Sequence, residues 1–208
     1  MFDKENSQFL DLDLLAYTDE PPPPSQHVST YFGMDIGRHN DRTAITIMQS
    51  WGNKRHVAEV VTLKDTEYET QIQVLKELHA KWHFAGGYID ATGIGNPMAE
   101  RISRTVNTRF QGFTFTASNK TPLHEQLRAQ VFERRLTFAT HLKKMIENDF
   151  RNISRVVTPN GDVRYQAGRT SSGHSDVTSS LLLALAACAK FKTSFGLPSP
   201  VEFSSRFA

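Results

Sequence analysis

The 208-residue sequence predicts an α/β fold with a mixed central sheet flanked by helices and an additional C-terminal β-hairpin. Three observations carry this expectation. Three β-rich runs come first, helices and strands then alternate, and an Ala/Leu-rich helix closes the pattern. The opening runs are Val28–Gly37, Thr43–Trp51 and Arg55–Leu63, and Gly52-Asn53 reads as a hairpin turn between the second and third. Ile72, Leu75, Leu78 and Trp82 recur at three- and four-residue spacing, which predicts a helix from Tyr68 to about His83. Gly86-Gly87 opens a short strand, Tyr88–Ala91, and the turn Thr92–Asn96 leads into a second helix with Pro97 at its start. Phe110–Thr116 reads as a strand, Leu123–Arg135 as a basic amphipathic helix and His141–Asn152 as another. Pro159-Asn160-Gly161-Asp162, between Ile153–Thr158 and Val163–Gln166, carries the hairpin signal. A final helix is expected over Asp176–Phe191 and an extended tail from Gly196.

Ahead of the first strand, Asp19-Glu20-Pro21-Pro22-Pro23-Pro24-Ser25 marks a semi-rigid boundary, because consecutive prolines favour polyproline II. Phe9, Leu10, Leu12, Leu14 and Leu15 before it suggest a short docking helix. The expected organisation is a linker segment over 1–26, one domain over 27–195 and a tail over 196–208. A chain of this size can bury roughly 70% of its unfolded surface without a staple. With Cys188 as its one cysteine, it excludes a disulfide scaffold. The apolar run Leu181–Ala189 is too short to span a bilayer, and the acidic N-terminus lacks the start of a signal peptide. A protein that is neither exported nor membrane-bound is expected. The net charge of +2 hides an asymmetry: residues 1–100 hold 8 Lys+Arg against 15 Asp+Glu, whereas residues 101–170 hold 13 against 5. A basic block of this kind suits a polyanion, and equally a solvated helical surface.

Three segments carry candidate chemistry. In Tyr31–Thr43, strand alternation puts Phe32, Met34 and Ile36 on one face and Gly33, Asp35 and Gly37 on the other. The second face is expected to offer a carboxylate flanked by bare backbone, open to a metal ion or phosphate. In Gly86–Gly95, Asp90 closes a strand before a glycine turn, where α/β sheets tend to bind ligands. A dinucleotide fingerprint fails there, because its third glycine would fall at Met98. In Ser172–Val177, Asp176 taken alone reads as a helix cap and His174 as a surface residue or a neighbour of a ligand. Taken together, three carboxylates at element ends can hold two Mg²⁺ or Mn²⁺ ions for phosphoryl chemistry. The basic segment would then hold the phosphates of a nucleic acid.

The ordered motifs Gly33-Met34-Asp35-Ile36-Gly37-Arg38…Asp41-x-Thr43, Ile89-Asp90-Ala91-Thr92-Gly93-Ile94-Gly95 and Gly173-His174-Ser175-Asp176 resemble the nuclease domain of tailed-phage large terminase subunits. The Mu-like branch looks most similar, notably over Gly161-Asp162-Val163-Arg164-Tyr165 with the Ala/Leu-rich helix behind it. The resemblance implies an RNase H-like fold and a metal-dependent endonuclease that cuts double-stranded viral DNA during packaging in the host cytoplasm. It implies Asp35, Asp90 and Asp176 as catalytic metal ligands and Asp41 as a further acidic ligand. Arg38, Arg42, Lys120, Arg128 and Arg169 become DNA-contact candidates. The implied partners are a packaging ATPase domain, the portal and the small terminase subunit. The chain itself lacks the Gly-Lys-Ser/Thr phosphate loop of the packaging motor. It therefore looks like a separate nuclease domain or an excised piece. Competing expectations are a junction resolvase or RNase H of the same fold, an actin/hexokinase-type ATPase, and a non-catalytic DNA-binding module.

Overall fold

The computed structural model describes residues 7–24, 27–37, 42–92, 95–168 and 175–191. Its centre is a seven-stranded mixed sheet. β3 (Ser29–Asp35), β4 (Arg42–Trp51) and β5 (Lys54–Lys64) form an antiparallel meander. The β4–β5 turn is the expected Gly52-Asn53, with Gly52 at φ 52°, a conformation glycine adopts without steric cost. Helix α1 (Tyr68–Trp82) then crosses to β6 (Gly86–Asp90), parallel to β3, and α2 (Gly95–Thr105) crosses to β7 (Phe110–Phe113), parallel to β6. Helix α3 (Ala117–Phe132) leads to β8 (Leu136–Phe138), which extends the sheet beyond β5. After α4 (Lys143–Arg151), β9 (Ile153–Val157) and β10 (Val163–Ala167) make the expected hairpin, and α5 (Asp176–Phe191) completes the chain.

Apolar residues cover both faces of the sheet. On one face Phe32, Met34, Ile45 and Ile47 pack against Ile72, Leu75 and Leu78 of α1 and Met98 and Ile102 of α2. On the other, Tyr31, Ala44 and Met48 meet Leu181, Leu182 and Leu185 of α5, with Leu127 of α3 and Ile146 and Phe150 of α4 beyond. Helix α5 is buried on nearly every side, which explains why its sequence is apolar all round.

Two elements differ from their sequence expectations. The helix expected over Phe9–Leu15 forms only as a 3₁₀ turn, Leu12–Leu14. The flanking backbone is taken by sheet hydrogen bonding instead. β1 (Ser7–Gln8) pairs with β9, and β2 (Ala16–Tyr17) pairs with β8. Helix α3 begins at Ala117, six residues earlier than expected, because Thr116 and Asn119 form a capping box ahead of Pro122.

Phe9 anchors this N-terminal segment. It is fully buried, with its ring edge-on to Phe150 (5.3 Å between centroids), Tyr165 (5.4 Å) and His124 (5.5 Å). Burial pushes the His124 imidazole down to about 4, so it is neutral at neutral pH and stacks on Tyr165 at 4.7 Å. Phe9→Ala should therefore cost about 3–5 kcal/mol. A thermal melt should fall by roughly 6 °C or more, at about 2 °C or more for each kcal/mol in a chain this long. An unchanged melting temperature would mean that the segment does not dock here.

Candidate metal centre

Asp35 ends β3 and Asp90 ends β6. These strands are parallel neighbours, with Gly33 opposite Tyr88 and Met34 opposite Ile89. The next residues along, Asp35 and Asp90, therefore leave the same end of the sheet side by side. Residues two apart in a strand share a face, so Asp35 lies on the face of Gly33 and Asp90 on that of Tyr88. Helix α5 covers this face, because Gly33 abuts Ser180, Leu183 and Ala184, and Tyr88 meets Phe191 with ring centroids 5.4 Å apart.

The direction of α5 brings the third carboxylate. Its last residue, Phe191, lies against Gly86 at the start of β6 and accepts a 3.4 Å hydrogen bond from Tyr31 near the start of β3. The helix thus runs antiparallel to these strands, and its first residue, Asp176, arrives at their ends. The N-terminal end of a helix carries a partial positive charge, which suits a carboxylate-lined site. Along the helix, the Ser180 hydroxyl donates to the Val177 carbonyl at 2.9 Å and lies 2.7 Å from the Thr46 hydroxyl, which ties α5 to β4.

One sequence expectation is corrected by this geometry. Gly33 does not offer open backbone to a ligand; α5 occupies the space beside it. A Cβ at position 33 would overlap the Ser180 carbonyl oxygen and the Ala184 nitrogen. Glycine is required because the helix approaches the strand closely, and that approach carries Asp176 towards Asp35.

The electrostatics reflect this crowding. Burial pushes the Asp35 carboxyl well above the usual carboxylate range, and the charges of Asp90 and Asp176 push it further. A hydrogen bond from Ser179 and the charge of Lys120 oppose them. Ser179 lies three residues after Asp176, so one side of α5 presents both. Asp90 also accepts a 2.7 Å bond from the Thr92 amide, which holds the turn after β6. Carboxylate oxygens are the hard donors that Mg²⁺ and Mn²⁺ prefer, and three of them at one end of the sheet fit such an ion. Among the described residues no three His, Cys, Asp or Glu side chains are already closed around a common point.

The loop between β3 and β4 is held at its base. Thr43 accepts the Gly37 amide at 2.9 Å and donates to buried Gln71 at 2.9 Å. Arg42 is exposed and lines a cleft of about 160 Å³ that also includes Asn148, Asp149 and Asp176. Lys120 is exposed on α3, with its ammonium 5.4 Å from the centre of the Phe115 ring. It borders a groove of about 600 Å³ between α3 and the β9–β10 hairpin, with Arg164 and Tyr165 on the opposite wall. Arg128 is engaged within the protein, donating to Glu125 at 3.0 Å and to the Tyr165 hydroxyl at 3.2 Å. Arg38, Asp41, Arg169 and His174 lie outside the described residues.

Asp149 was not anticipated. It stands on α4, partly buried, and accepts the Thr178 amide at 2.8 Å and the Thr178 hydroxyl at 2.5 Å. Burial raises its carboxyl, and Asp176 adds to the shift against the Thr178 hydrogen bonds. No spacing in the sequence signals this contact between residues 29 apart.

Residues 32–187 match the family described as "Terminase RNaseH-like domain". Comparison with curated proteins finds no match. Among solved structures, the chain is similar to the large terminase nuclease from thermophilic phage G20c. There the identity is 21% and the TM-score 0.68, covering 87% of this chain and 98% of that one. The same nuclease with bound magnesium matches at 20% identity and TM-score 0.66, covering 88% and 97%. The large terminase nuclease domain of Thermus phage P74-26 matches at 18% identity and TM-score 0.63, covering 93% and 100%.

Proposed function

The chain belongs to the terminase RNase H-like domain family, and on that premise we propose that it is a metal-dependent endonuclease that cuts double-stranded DNA during viral genome packaging. The convergence of Asp35, Asp90 and Asp176 at one end of the sheet supports this reading most strongly. Asp35, Asp90 and Asp176 would hold Mg²⁺ or Mn²⁺, two ions in the full reading, with Asp41 as a further ligand. Bound there, such ions lower the pKa of water and neutralise charge on a phosphodiester.

The chain's own residues supply binding and orientation. Ser179 holds the Asp35 carboxylate by a hydrogen bond. Arg42 shares a cleft with Asp176, and the charge of Lys120 acts on Asp35, so both are candidates to contact phosphates near the cut. Arg38 and Arg169 are further contact candidates, and His174 is a neighbour of the Asp176 ligand. The groove beside Lys120 also carries Arg164 and would hold backbone phosphates. The partners that suit this role are a packaging ATPase domain, the portal and the small terminase subunit, in the host cytoplasm. No helix among the described residues is long and apolar enough to cross a membrane.

Supercoiled plasmid incubated with the protein and Mn²⁺ or Mg²⁺ should be nicked and linearised, and excess EDTA should stop both. Cutting that persists in EDTA would contradict metal dependence. An RNA strand cut in preference to duplex DNA would reassign the substrate.

A further inference from the structure

The residue before helix α5 does not cap it with its side chain. Ser175, directly before it, has a left-handed backbone (φ 66°), and its buried hydroxyl has no hydrogen-bond partner among the described residues. A first turn in this state exposes unsatisfied amide donors, and a ligand carried on it is poorly held. Asp149 satisfies them from another element. One of its oxygens, Oδ2, accepts both the amide and the hydroxyl of Thr178, and the carboxylate also takes the Val177 amide. Val177 and Thr178 directly follow Asp176, so the clamp acts on the turn that sets where the Asp176 carboxylate points. The base of the clamp is itself rigid, because α4 is fixed by Ile146 and Phe150 in the core.

We propose that Asp149 is a positioning residue for Asp176, acting as a cap supplied by α4 that orders the first turn of α5 for metal binding. The inference rests on the reading of Asp35, Asp90 and Asp176 as the metal site. Residues that orient a ligand without touching the ion typically change metal affinity by about 10–100-fold when removed. The chemistry of the clamp also separates geometry from charge. Both Thr178 bonds end on one oxygen, and an asparagine amide oxygen can accept both.

The test is Mn²⁺ binding measured by calorimetry on the folded protein, without substrate, for the parent, Asp149→Ala, Asp149→Asn and Asp176→Asn. Asp149→Ala should weaken binding about 10-fold or more, while Asp149→Asn should stay within about 3-fold of the parent. Thr178→Val, which removes only the hydroxyl bond, should fall between them. If Asp149→Asn loses as much as Asp149→Ala, charge rather than positioning is responsible and the proposal is overturned. Parent-like binding by Asp149→Ala, while Asp176→Asn binds weakly, also overturns it and leaves the metal site standing. Parent-like binding by Asp176→Asn instead removes the metal-site reading itself. Circular dichroism on each variant confirms that the comparison is between folded proteins.

Discussion

Asp35→Asn is expected to abolish DNA cleavage and, at the same time, to raise the melting temperature of the metal-free protein. The loss of activity should be at least about 1,000-fold, because the residue would hold the ion that activates the nucleophile. The gain in stability follows from the carboxyl's position beside Asp90 and Asp176 in a half-buried corner. Its folded pKa lies above its unfolded value, so its stabilising contribution is complete below the unfolded pKa and is lost as pH rises through the folded one. Above that window the ionised carboxylate is a liability that the amide removes. The melt should rise by roughly 2–4 °C for each kcal/mol relieved. Addition of Mn²⁺ should stabilise the parent and leave Asp35→Asn unchanged, since stabilisation by a ligand requires that it bind the folded state. A variant that melts higher yet cuts as fast as the parent would separate Asp35 from catalysis.

Gly33→Ala should damage both fold and site. The added methyl would meet the backbone of α5 at Ser180 and Ala184, and no side-chain rotation can relieve that overlap. The cost should be about 3 kcal/mol or more, the upper end of ordinary overpacking. That corresponds to a fall of roughly 6–12 °C in the melt. Displacing α5 from β3 also draws Asp176 away from Asp35, so Mn²⁺ should stabilise the variant less than it does the parent. Gly52→Ala is a suitable control. It has no atom within contact distance of the new methyl and bears only the strain of φ 52°, about 1–2 kcal/mol, far from the carboxylates. Equal cleavage and stability in Gly33→Ala and the parent would mean that α5 does not pack on β3 as described.

Much of the site is legible in sequence because of where its residues fall. Asp35, Asp90 and Asp176 each stand at the end or start of a regular element within three residues of a glycine, so local pattern alone marks them. Their convergence depends on the parallel register of β3 and β6 and on the direction of α5, which local pattern does not contain. Alternation correctly places Gly33 on the face of Asp35, but cannot say that a helix covers that face. Asp149 is invisible for the same reason: its function lies in a contact between α4 and α5. Ser179 could have been found, since it follows Asp176 by three residues within one helix. The strands β2 and β8 at one side of the sheet, two and three residues long, are too short to show a period and exist through pairing with each other and with β5. The early start of α3 was signalled by Thr116 and Asn119, but Pro122 obscured the helical pattern behind it.

The claim on which the rest depends is that Asp35, Asp90 and Asp176 share a divalent cation. Anomalous diffraction from crystals soaked in Mn²⁺ tests it most directly. The expected result is a strong peak bounded by the three carboxylates, with ion–oxygen distances of about 2.1 Å. Manganese bound only elsewhere on the protein, with the three carboxylates uncoordinated, would contradict the account.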